Sequence, residues 1–241
     1  MSAPLHVERT QDVWTLTLQR PEKRNALSYD LVEALLDAVQ DARGRRVPVL
    51  AFQGAGKNFS AGFDFSDLTI LSEGDLLLRF ARIESLLQAI ATLPCLTIGF
   101  AHGNNFGAGV DLLAVCRHRV ATNKASFRMP GLKFGLVLGT RRFAAIVGKE
   151  KATDILSNSR TFDAPEARAM AFIHEIAERE EWAQALATAS ATAALLPPAS
   201  RASLYSVLSD LQADADMASL VRSAAVPGIK ERIAAYLAPP A

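Results

Sequence analysis

A glycine-rich turn between two apolar segments is the feature that most limits how this chain can fold. The turn runs from Gly103 to Asp111 (GNNFGAGVD), after the apolar run Cys95–Ala101 and before Leu112–Val115. This pattern predicts a buried strand, a tight turn and the start of a helix. Glycine lets a ligand approach the backbone closely, and the first turn of a helix presents unpaired N–H groups. The segment indicates either a capped strand-to-helix connection or a site that combines N–H donors with a carboxylate.

Strand and helix patterns alternate before Gly139. Val13–Gln19 alternates apolar and polar residues and Val47–Phe52 is continuously apolar, which predicts two strands. Ser28 is placed to cap a helix, and Asp75–Ala91 has apolar residues at helical spacing. Strands separated by helices are typical of an α/β fold with parallel strands and crossover helices.

The pattern after Gly139 is helical, with a break at Pro197–Pro198. Helices are expected over Phe143–Val147, Ala152–Leu156, Ala164–Ala171, Trp182–Leu196, Ser203–Leu211 and Gly228–Leu237. The sequence therefore predicts a core over residues 1–190 and a C-terminal helical region over residues 191–241, which would cover a site or a subunit interface.

Composition and charge disfavour several functional classes. The chain has 241 residues, 50% of them hydrophobic, which is enough for one large domain. Its 26 Lys+Arg and 25 Asp+Glu residues give a net charge of +1, so no nucleic-acid partner is expected. We see no signal peptide, and no apolar run of the roughly 18–20 residues that a membrane span needs. The two cysteines lack metal-ligand spacing. We expect a cytoplasmic protein with no metal and no membrane partner.

A second glycine-containing segment, Gly54–Asp64, follows the strand predicted at Val47–Phe52. It begins as dinucleotide-binding turns do, but Phe59 takes the place of the third glycine, so an NAD-dependent oxidoreductase is a minor alternative. The turn Ala61–Phe63 is more informative. Two turns that each end a strand and supply backbone N–H groups are what an oxyanion hole for an acyl group requires.

The chain resembles the crotonase family, which includes enoyl-CoA hydratase and enoyl-CoA isomerase. The segments that carry the resemblance are Arg20–Pro21, Asn25–Leu27, Phe59–Asp64, His102–Asp111, Val147–Lys149 and Ala164–Ala167. The match covers about residues 7–176, and the tail is similar only in being helical. The resemblance implies a spiral of ββα turns with two nearly perpendicular sheets. It also implies a C-terminal helical region used in trimerisation, and hence a homotrimer or a hexamer.

The resemblance further implies an acyl-CoA ligand, with coenzyme A as part of the substrate and no separate cofactor. The N–H groups of Phe63 and Ala108 would hold the thioester oxygen. The residues implied in binding coenzyme A are Lys23, Arg24, Ala26, Leu27, Ala61, Gly62, Asp64 and Gly107. Lys23 and Arg24 could meet its phosphates, although basic residues in a loop are more often simply solvated.

The resemblance to a hydratase is incomplete. A hydratase of this family uses two glutamates; Asp111 stands at the first position and Gly131 at the second. Residues 112–149 contain no Asp or Glu, so no neighbouring carboxylate replaces the second one. Asp111 is therefore the only residue nominated for proton transfer. Hydration, and isomerisation by the missing glutamate, are both in doubt.

Basic and polar residues occupy the neighbourhood instead. They are Arg128, Lys133, Arg141, Arg142, His102, Asn104 and Asn105. Such residues could bind a carboxylate-bearing acyl group, as decarboxylating relatives do. The competing expectation is that Arg141 and Arg142 face solvent or a neighbouring subunit and that His102 is packed in the core. Asp64 is expected to be a structural hydrogen-bond acceptor, and Asp67 a surface carboxylate.

Three functional hypotheses follow. The first is an enzyme that acts on an acyl-CoA thioester through an enolate or oxyanion, with Asp111 as its acid or base. The second is a catalytically silent acyl-CoA-binding paralogue, because a fold alone does not establish an activity. A relative that decarboxylates or hydrolyses its substrate is a further alternative of this kind. The third is a nicotinamide-dependent oxidoreductase, which rests only on Gly54, Ala55 and Gly56.

Overall fold

The computed structural model describes residues 3–209 and 212–238. The strands are β1 (Leu5–Arg9), β2 (Val13–Leu18), β3 (Val49–Gly54), β4 (Leu96–Ala101), β5 (Asn104–Phe106), β6 (His118–Ala121), β7 (Ser126–Arg128), β8 (Phe162–Asp163) and β9 (Glu175–Ile176). The α-helices are α1 (Tyr29–Gly44), α2 (Glu73–Ala91), α3 (Ala108–Ala114), α4 (Thr140–Val147), α5 (Lys149–Asn158), α6 (Ala164–Ala169), α7 (Trp182–Ala194), α8 (Pro198–Val207), α9 (Ala213–Ala224) and α10 (Ile229–Leu237). Short 3-10 helices lie at Pro21–Lys23, Gly131–Phe134 and Arg179–Glu181.

The strands form a six-stranded sheet and a three-stranded sheet. The larger sheet has the order β1-β2-β3-β4-β6-β9; β1 runs antiparallel to β2, and the other neighbours are parallel. In the smaller sheet, β5 is parallel to β7 and β7 is antiparallel to β8. The chain passes through β4, β5 and α3, and again through β6, β7 and α4, so that each unit places one strand in each sheet before a helix. The predicted α/β class with ββα units is confirmed.

Local sequence signals account for the main elements. Every residue of β4 is buried, as expected for a parallel strand covered on both faces. The Ser28 hydroxyl accepts a hydrogen bond from the Leu31 N–H and caps α1, as predicted. A capping box between Ser72 and Asp75 begins α2. Helix α1 then packs against β1 and β2 of the larger sheet and against α2.

Several elements were not predicted from the sequence. The strands of the smaller sheet have two or three residues, which is too short for an apolar period to be seen. Helix α9 was also missed, although Asp214 and Asp216 in its first turn are a helix-start signal. The helix expected at Ser203–Leu211 begins earlier, at Pro198, because a proline is well tolerated in the first turn. The predicted end at Leu211 lies outside the described residues.

The C-terminal helices belong to the main core. Leu220 of α9 and Ile233 of α10 are fully buried in the main apolar cluster. The Lys230 ammonium donates hydrogen bonds to the carbonyl oxygens of Thr69 and Leu71, which ties α10 to the segment before α2. The division at residue 190 falls within α7 and stays a prediction. Within residues 3–209 and 212–238, no helix has the length and apolarity that crossing a membrane requires.

Candidate active site

The turns around Gly62 and Gly107 lie directly against each other. The Phe106 N–H donates to the carbonyl oxygen of Ser60, which holds the two segments together. Gly62 has φ of 81°, and a Cβ there would lie 2.3 Å from the Phe106 carbonyl oxygen and 3.1 Å from the Ala108 nitrogen. Only glycine allows this approach. The turns predicted to act together are therefore neighbours in space.

Phe63 and Ala108 each have an unpaired backbone N–H. The Leu27 N–H donates to the Gly62 carbonyl oxygen, and the Leu27 carbonyl oxygen accepts from the Asp64 N–H. This isolated parallel bridge between Leu27 and Phe63 leaves the N–H of Phe63 unused. Ala108 is the first residue of α3, where an N–H has no partner within the helix. Among the described residues, neither group donates a hydrogen bond. Both residues border one cavity, which we call the inner cavity.

The inner cavity has a volume of about 70 Å³ and is almost entirely apolar. Asp111 and Thr140 are its only polar lining residues within the described part of the chain. The apolar lining includes Phe63, Phe80, Met129, Phe134, Leu136 and Leu138. Gly131, which stands where a hydratase of this family is expected to have its second glutamate, also lines the inner cavity. It therefore faces the same space as Asp111.

Asp111 is held in an unusually dry position. It is 3% exposed, and its Oδ1 atom has no hydrogen-bond partner among the residues described. Burial raises the pKa of the carboxyl to about 8; nearby Arg142 opposes the shift and Glu84 adds to it. The carboxyl is therefore mostly protonated at neutral pH. At neutral pH the carboxyl can therefore donate a proton, and above about pH 8 it is mainly ionised and can act as a base.

A buried ion network lies beside Asp111. Arg142 of α4 pairs with Glu84 of α2 (Nη2–Oε2 2.5 Å) and with Asp216 of α9 (Nη1–Oδ2 3.1 Å). The side chains of Arg142 and Glu84 are only 11% and 1% exposed, so the expectation that Arg142 faces solvent was wrong. A buried guanidinium needs counter-charges, and helices α2 and α9 supply them. Arg141 is about half exposed and pairs with Asp216.

A larger opening, which we call the outer groove, adjoins the inner cavity. Its volume is about 440 Å³, and Ala61, Phe63, Phe65, Phe106 and Pro130 line both spaces. Of the residues predicted to bind coenzyme A, the outer groove brings together Lys23, Arg24, Ala26, Ala61 and Asp64. Gly107 lines the inner cavity instead, while Leu27 and Gly62 line neither and support the turns through their backbone hydrogen bond. Arg128, Tyr236 and Leu237 also line the groove.

The other carboxylates have structural roles. Asp64 accepts from the Arg20 guanidinium at 2.8 Å and from the Ser66 N–H at 3.0 Å. Burial alone would raise the pKa of Asp64, but the hydrogen bonds from Ser66 and Arg20 outweigh it and lower the pKa. Asp67 pairs with Arg79 near the surface. Both expectations are confirmed.

The remaining polar candidates lie away from the inner cavity. His102 packs against Trp182, with its Nε2 atom 3.0 Å from the Gly56 carbonyl oxygen, as a core histidine. Asn105 donates to two backbone carbonyl oxygens, and the Asn104 side chain accepts from the Ser126 hydroxyl. Lys133 lines neither space.

The sequence interpretation missed Glu84 and Asp216. Glu84 follows Phe80 by four positions and precedes Leu87 by three, so it interrupts the buried face of α2. A carboxylate on such an apolar face was a usable signal of a buried ion pair. Asp216 gave no comparable signal, because acidic residues in a first helical turn are common.

Replacing Gly139 with alanine is expected to disturb Asp111. Gly139 has φ of 65°, and a Cβ there would lie 1.6 Å from Asp111 Oδ1. We expect the free energy of unfolding to fall by about 1–3 kcal/mol beyond the cost of the strained backbone, which is the usual range for overpacking. Thermal unfolding measures this loss. Gly228 is the matched control, because it is also in the left-handed helical region (φ 83°, ψ 21°) and a Cβ there meets nothing closer than 3.6 Å. Equal losses in Gly139→Ala and Gly228→Ala would contradict this geometry.

Comparisons with known proteins agree with this fold. The family model described as enoyl-CoA hydratase/isomerase matches residues 8–226. A solved structure of a candidate enoyl-CoA hydratase/isomerase from Bordetella parapertussis is 58% identical, covers 99% of this chain and 100% of that chain, and has a TM-score of 0.97. Enoyl-CoA hydratase domain-containing protein 2, mitochondrial, of Bos taurus is 32% identical over 217 residues, which is 87% of this chain and 73% of the bovine protein.

A more distant structure shows the fold alone. The enoyl-CoA hydratase of Bacillus halodurans is 22% identical, covers 96% of this chain and 99% of its own, and superposes with a TM-score of 0.85. The family match over residues 8–226 confirms the resemblance seen in the sequence. The chain therefore belongs to the crotonase family, the family of enoyl-CoA hydratases and isomerases.

Proposed function

We propose that this protein is an enzyme that acts on a coenzyme A thioester through an enolate, with Asp111 as its single proton-transfer group. The observation that carries the proposal is the placement of two unpaired N–H groups, on Phe63 and Ala108, beside one buried carboxyl around one apolar cavity. Preorganised N–H donors stabilise charge that develops on a carbonyl oxygen. Asp111 would remove a proton from the carbon next to the thioester carbonyl and leave an enolate. The protonated Asp111 would then return a proton to the enolate.

The outer groove supplies the place for coenzyme A. Lys23, Arg24 and Arg128 line it, so cationic side chains are available for the phosphates. Tyr236 and Leu237 bring α10 to the same groove and give it an apolar side. The acyl end would pass between the two turns into the inner cavity. Coenzyme A is thus part of the substrate, and no separate cofactor enters the proposal.

The inner cavity favours an uncharged apolar acyl group. Within the described residues, no cationic side chain lines it. Arg142 forms ion pairs with Glu84 and Asp216. Arg128 lies in the outer groove, where its Nε–H donates to the Ser159 carbonyl oxygen. A carboxylate on the acyl group would be desolvated there without a partner. Decarboxylation of a carboxylate-bearing acyl group is therefore disfavoured.

Hydration is not part of the proposal. A second carboxylate would have to activate water opposite Asp111, and Gly131 offers none. Transfer of a proton from the substrate to Asp111 and its return to the enolate need only one acid–base group. Reversible enolate formation is therefore the chemistry that these residues support.

Proton exchange in deuterated water tests the proposal. Incorporation of deuterium into butyryl-CoA, followed by mass spectrometry, is expected to rise roughly tenfold per pH unit and level off above about pH 8, because only ionised Asp111 acts as a base. Succinyl-CoA, of similar length but with a terminal carboxylate, is expected to exchange more slowly. Exchange of neither thioester, with both still bound, would favour the silent acyl-CoA-binding alternative. Faster exchange of succinyl-CoA would contradict the assignment of the acyl group.

We further propose that the protein forms the homotrimer or hexamer expected from its sequence, in the cytoplasm. Large apolar side chains at the ends of α7 and α8 support self-association, because Leu195, Val207 and Leu208 are more than two-thirds exposed.

A further inference from the structure

The inner cavity has an open side and a closed wall. Its open side adjoins the outer groove at Phe63 and Phe65, which line both spaces. Phe80 of α2 and Leu156 of α5 line the inner cavity but not the outer groove, and they are only 1% and 6% exposed. Side chains buried to this degree present no face to solvent, so the cavity ends where they stand. We call these two residues the closed wall.

The closed wall lies close to the position proposed for the thioester carbonyl. The Phe63 ring contacts the rings of Phe65 and Phe80, with centroid distances of 4.9 and 4.4 Å. Phe63 also supplies one of the two N–H groups proposed to hold the thioester oxygen. An acyl chain that enters beside Phe63 therefore meets Phe80 after a short distance.

The helix that carries Phe80 is fixed on several sides. Helix α2 packs against α1, α3, α9 and α10. Its Arg82 forms an ion pair with Glu33 of α1. Its Glu84 forms another with Arg142 of α4. Protein interiors are close-packed, so the Phe80 ring can withdraw only if these contacts also shift. The closed wall is therefore a rigid limit to the cavity.

The volume of the inner cavity limits the length of an acyl chain. It is about 70 Å³, and one water-sized group requires about 10–15 Å³ on the same scale. The cavity therefore holds roughly five to seven groups of about the size of a methylene. A butyryl group lies at the lower end of this range, a hexanoyl group at its upper end, and an octanoyl group beyond it.

We propose that the closed wall of Phe80 and Leu156 restricts the enzyme to short acyl groups of about four to six carbons. The inference rests on the proposed function, which places the acyl group in the inner cavity. Each methylene buried against the apolar lining is expected to tighten binding about fourfold until the chain reaches the closed wall. One methylene too many in a hydrophobic pocket typically costs about 10–200-fold.

A series of acetyl-, butyryl-, hexanoyl- and octanoyl-CoA tests this restriction in the native protein. Calorimetry is expected to show an affinity that rises from acetyl-CoA to butyryl-CoA and falls from hexanoyl-CoA to octanoyl-CoA. Deuterium exchange of octanoyl-CoA is expected to be at least about tenfold slower than that of butyryl-CoA. Equal exchange of these two thioesters, or an affinity that still rises at octanoyl-CoA, would overturn the proposal.

Two variants test whether the closed wall imposes the limit. Phe80→Leu and Leu156→Ala each shorten one side chain of the wall. Each is expected to raise the ratio of octanoyl-CoA exchange to butyryl-CoA exchange by at least about tenfold. Thermal unfolding verifies that each variant folds, and the second variant keeps the test intact if the first does not. An unchanged ratio in a folded variant would overturn the assignment of the limit to that residue.

Phe172→Leu is the matched control for the loss of part of a buried ring. Phe172 is fully buried against Phe127 and Phe162, and it lines neither the inner cavity nor the outer groove. The exchange ratio of this variant is expected to match the native ratio. An equal rise would show that loosened packing, and not the closed wall, admits the longer chain. If no thioester exchanges, the proposed function fails, and the ranking of affinities by calorimetry then decides on the closed wall alone.

Discussion

Replacement of Asp111 by asparagine is expected to lower α-proton exchange of a bound acyl-CoA by at least about 100-fold, the lower end of what a positioned acid or base contributes. Asparagine keeps the size of the side chain, so the contact with Gly139 and the two N–H groups are preserved. Binding of butyryl-CoA, measured by calorimetry, is expected to survive. Unchanged exchange in Asp111→Asn would remove Asp111 from the mechanism.

The same variant is expected to be more stable than the native protein at neutral pH. The folded pKa of Asp111 is about 8, above the usual 3.8, so the folded protein retains a proton that the unfolded chain has lost between these values. The native protein therefore loses stability as pH rises through this interval, on the order of 4 kcal/mol by pH 7. The advantage of Asp111→Asn should be small near pH 4 and largest above about pH 8. A lower melting temperature of the variant at pH 8 would contradict a buried, protonated Asp111.

Glu84→Ala is expected to produce the largest loss of stability. It leaves the buried Arg142 guanidinium with Asp216 alone, and removing one partner of a buried ion pair typically costs about 3–5 kcal/mol. Glu84 also raises the pKa of Asp111, so the pH at which proton exchange levels off should move downward in this variant. Thermal unfolding and the exchange profile measure the two effects.

Glu33→Ala is the matched control for Glu84→Ala. Glu33 pairs with Arg82, also on α2, but these side chains are 30% and 36% exposed. A pair near the surface contributes about 0–1 kcal/mol. Similar losses in the two variants would show that the Glu84–Arg142 pair is not the buried, sensitive contact described above.

The sequence was sufficient for the parts of the fold that local patterns determine. Alternating apolar residues marked β2, continuous apolar residues marked β3 and β4, and Ser28 marked the start of α1. The two glycine turns were recognisable because close backbone approach restricts residue type. At Gly62 the structure shows this approach directly, since a Cβ would meet the Phe106 carbonyl oxygen.

The environment of Asp111 could not be predicted in the same way. The network around it joins Glu84, Arg142 and Asp216, which are separated by 58 and 74 positions along the chain. Such contacts depend on how α2, α4 and α9 pack, and α9 itself was missed. The sequence identified Asp111 as the lone candidate, but its protonation state follows from burial, which only the packed structure reveals.

The central claim is that the N–H groups of Phe63 and Ala108 polarise a thioester carbonyl. The infrared stretching frequency of butyryl-CoA with a carbon-13 label at that carbonyl tests it most directly, with the ligand bound to Asp111→Asn to prevent turnover. We predict a shift to lower frequency relative to the free thioester, because hydrogen bonds to the oxygen weaken the C=O bond. A bound thioester with an unshifted carbonyl frequency would contradict the claim.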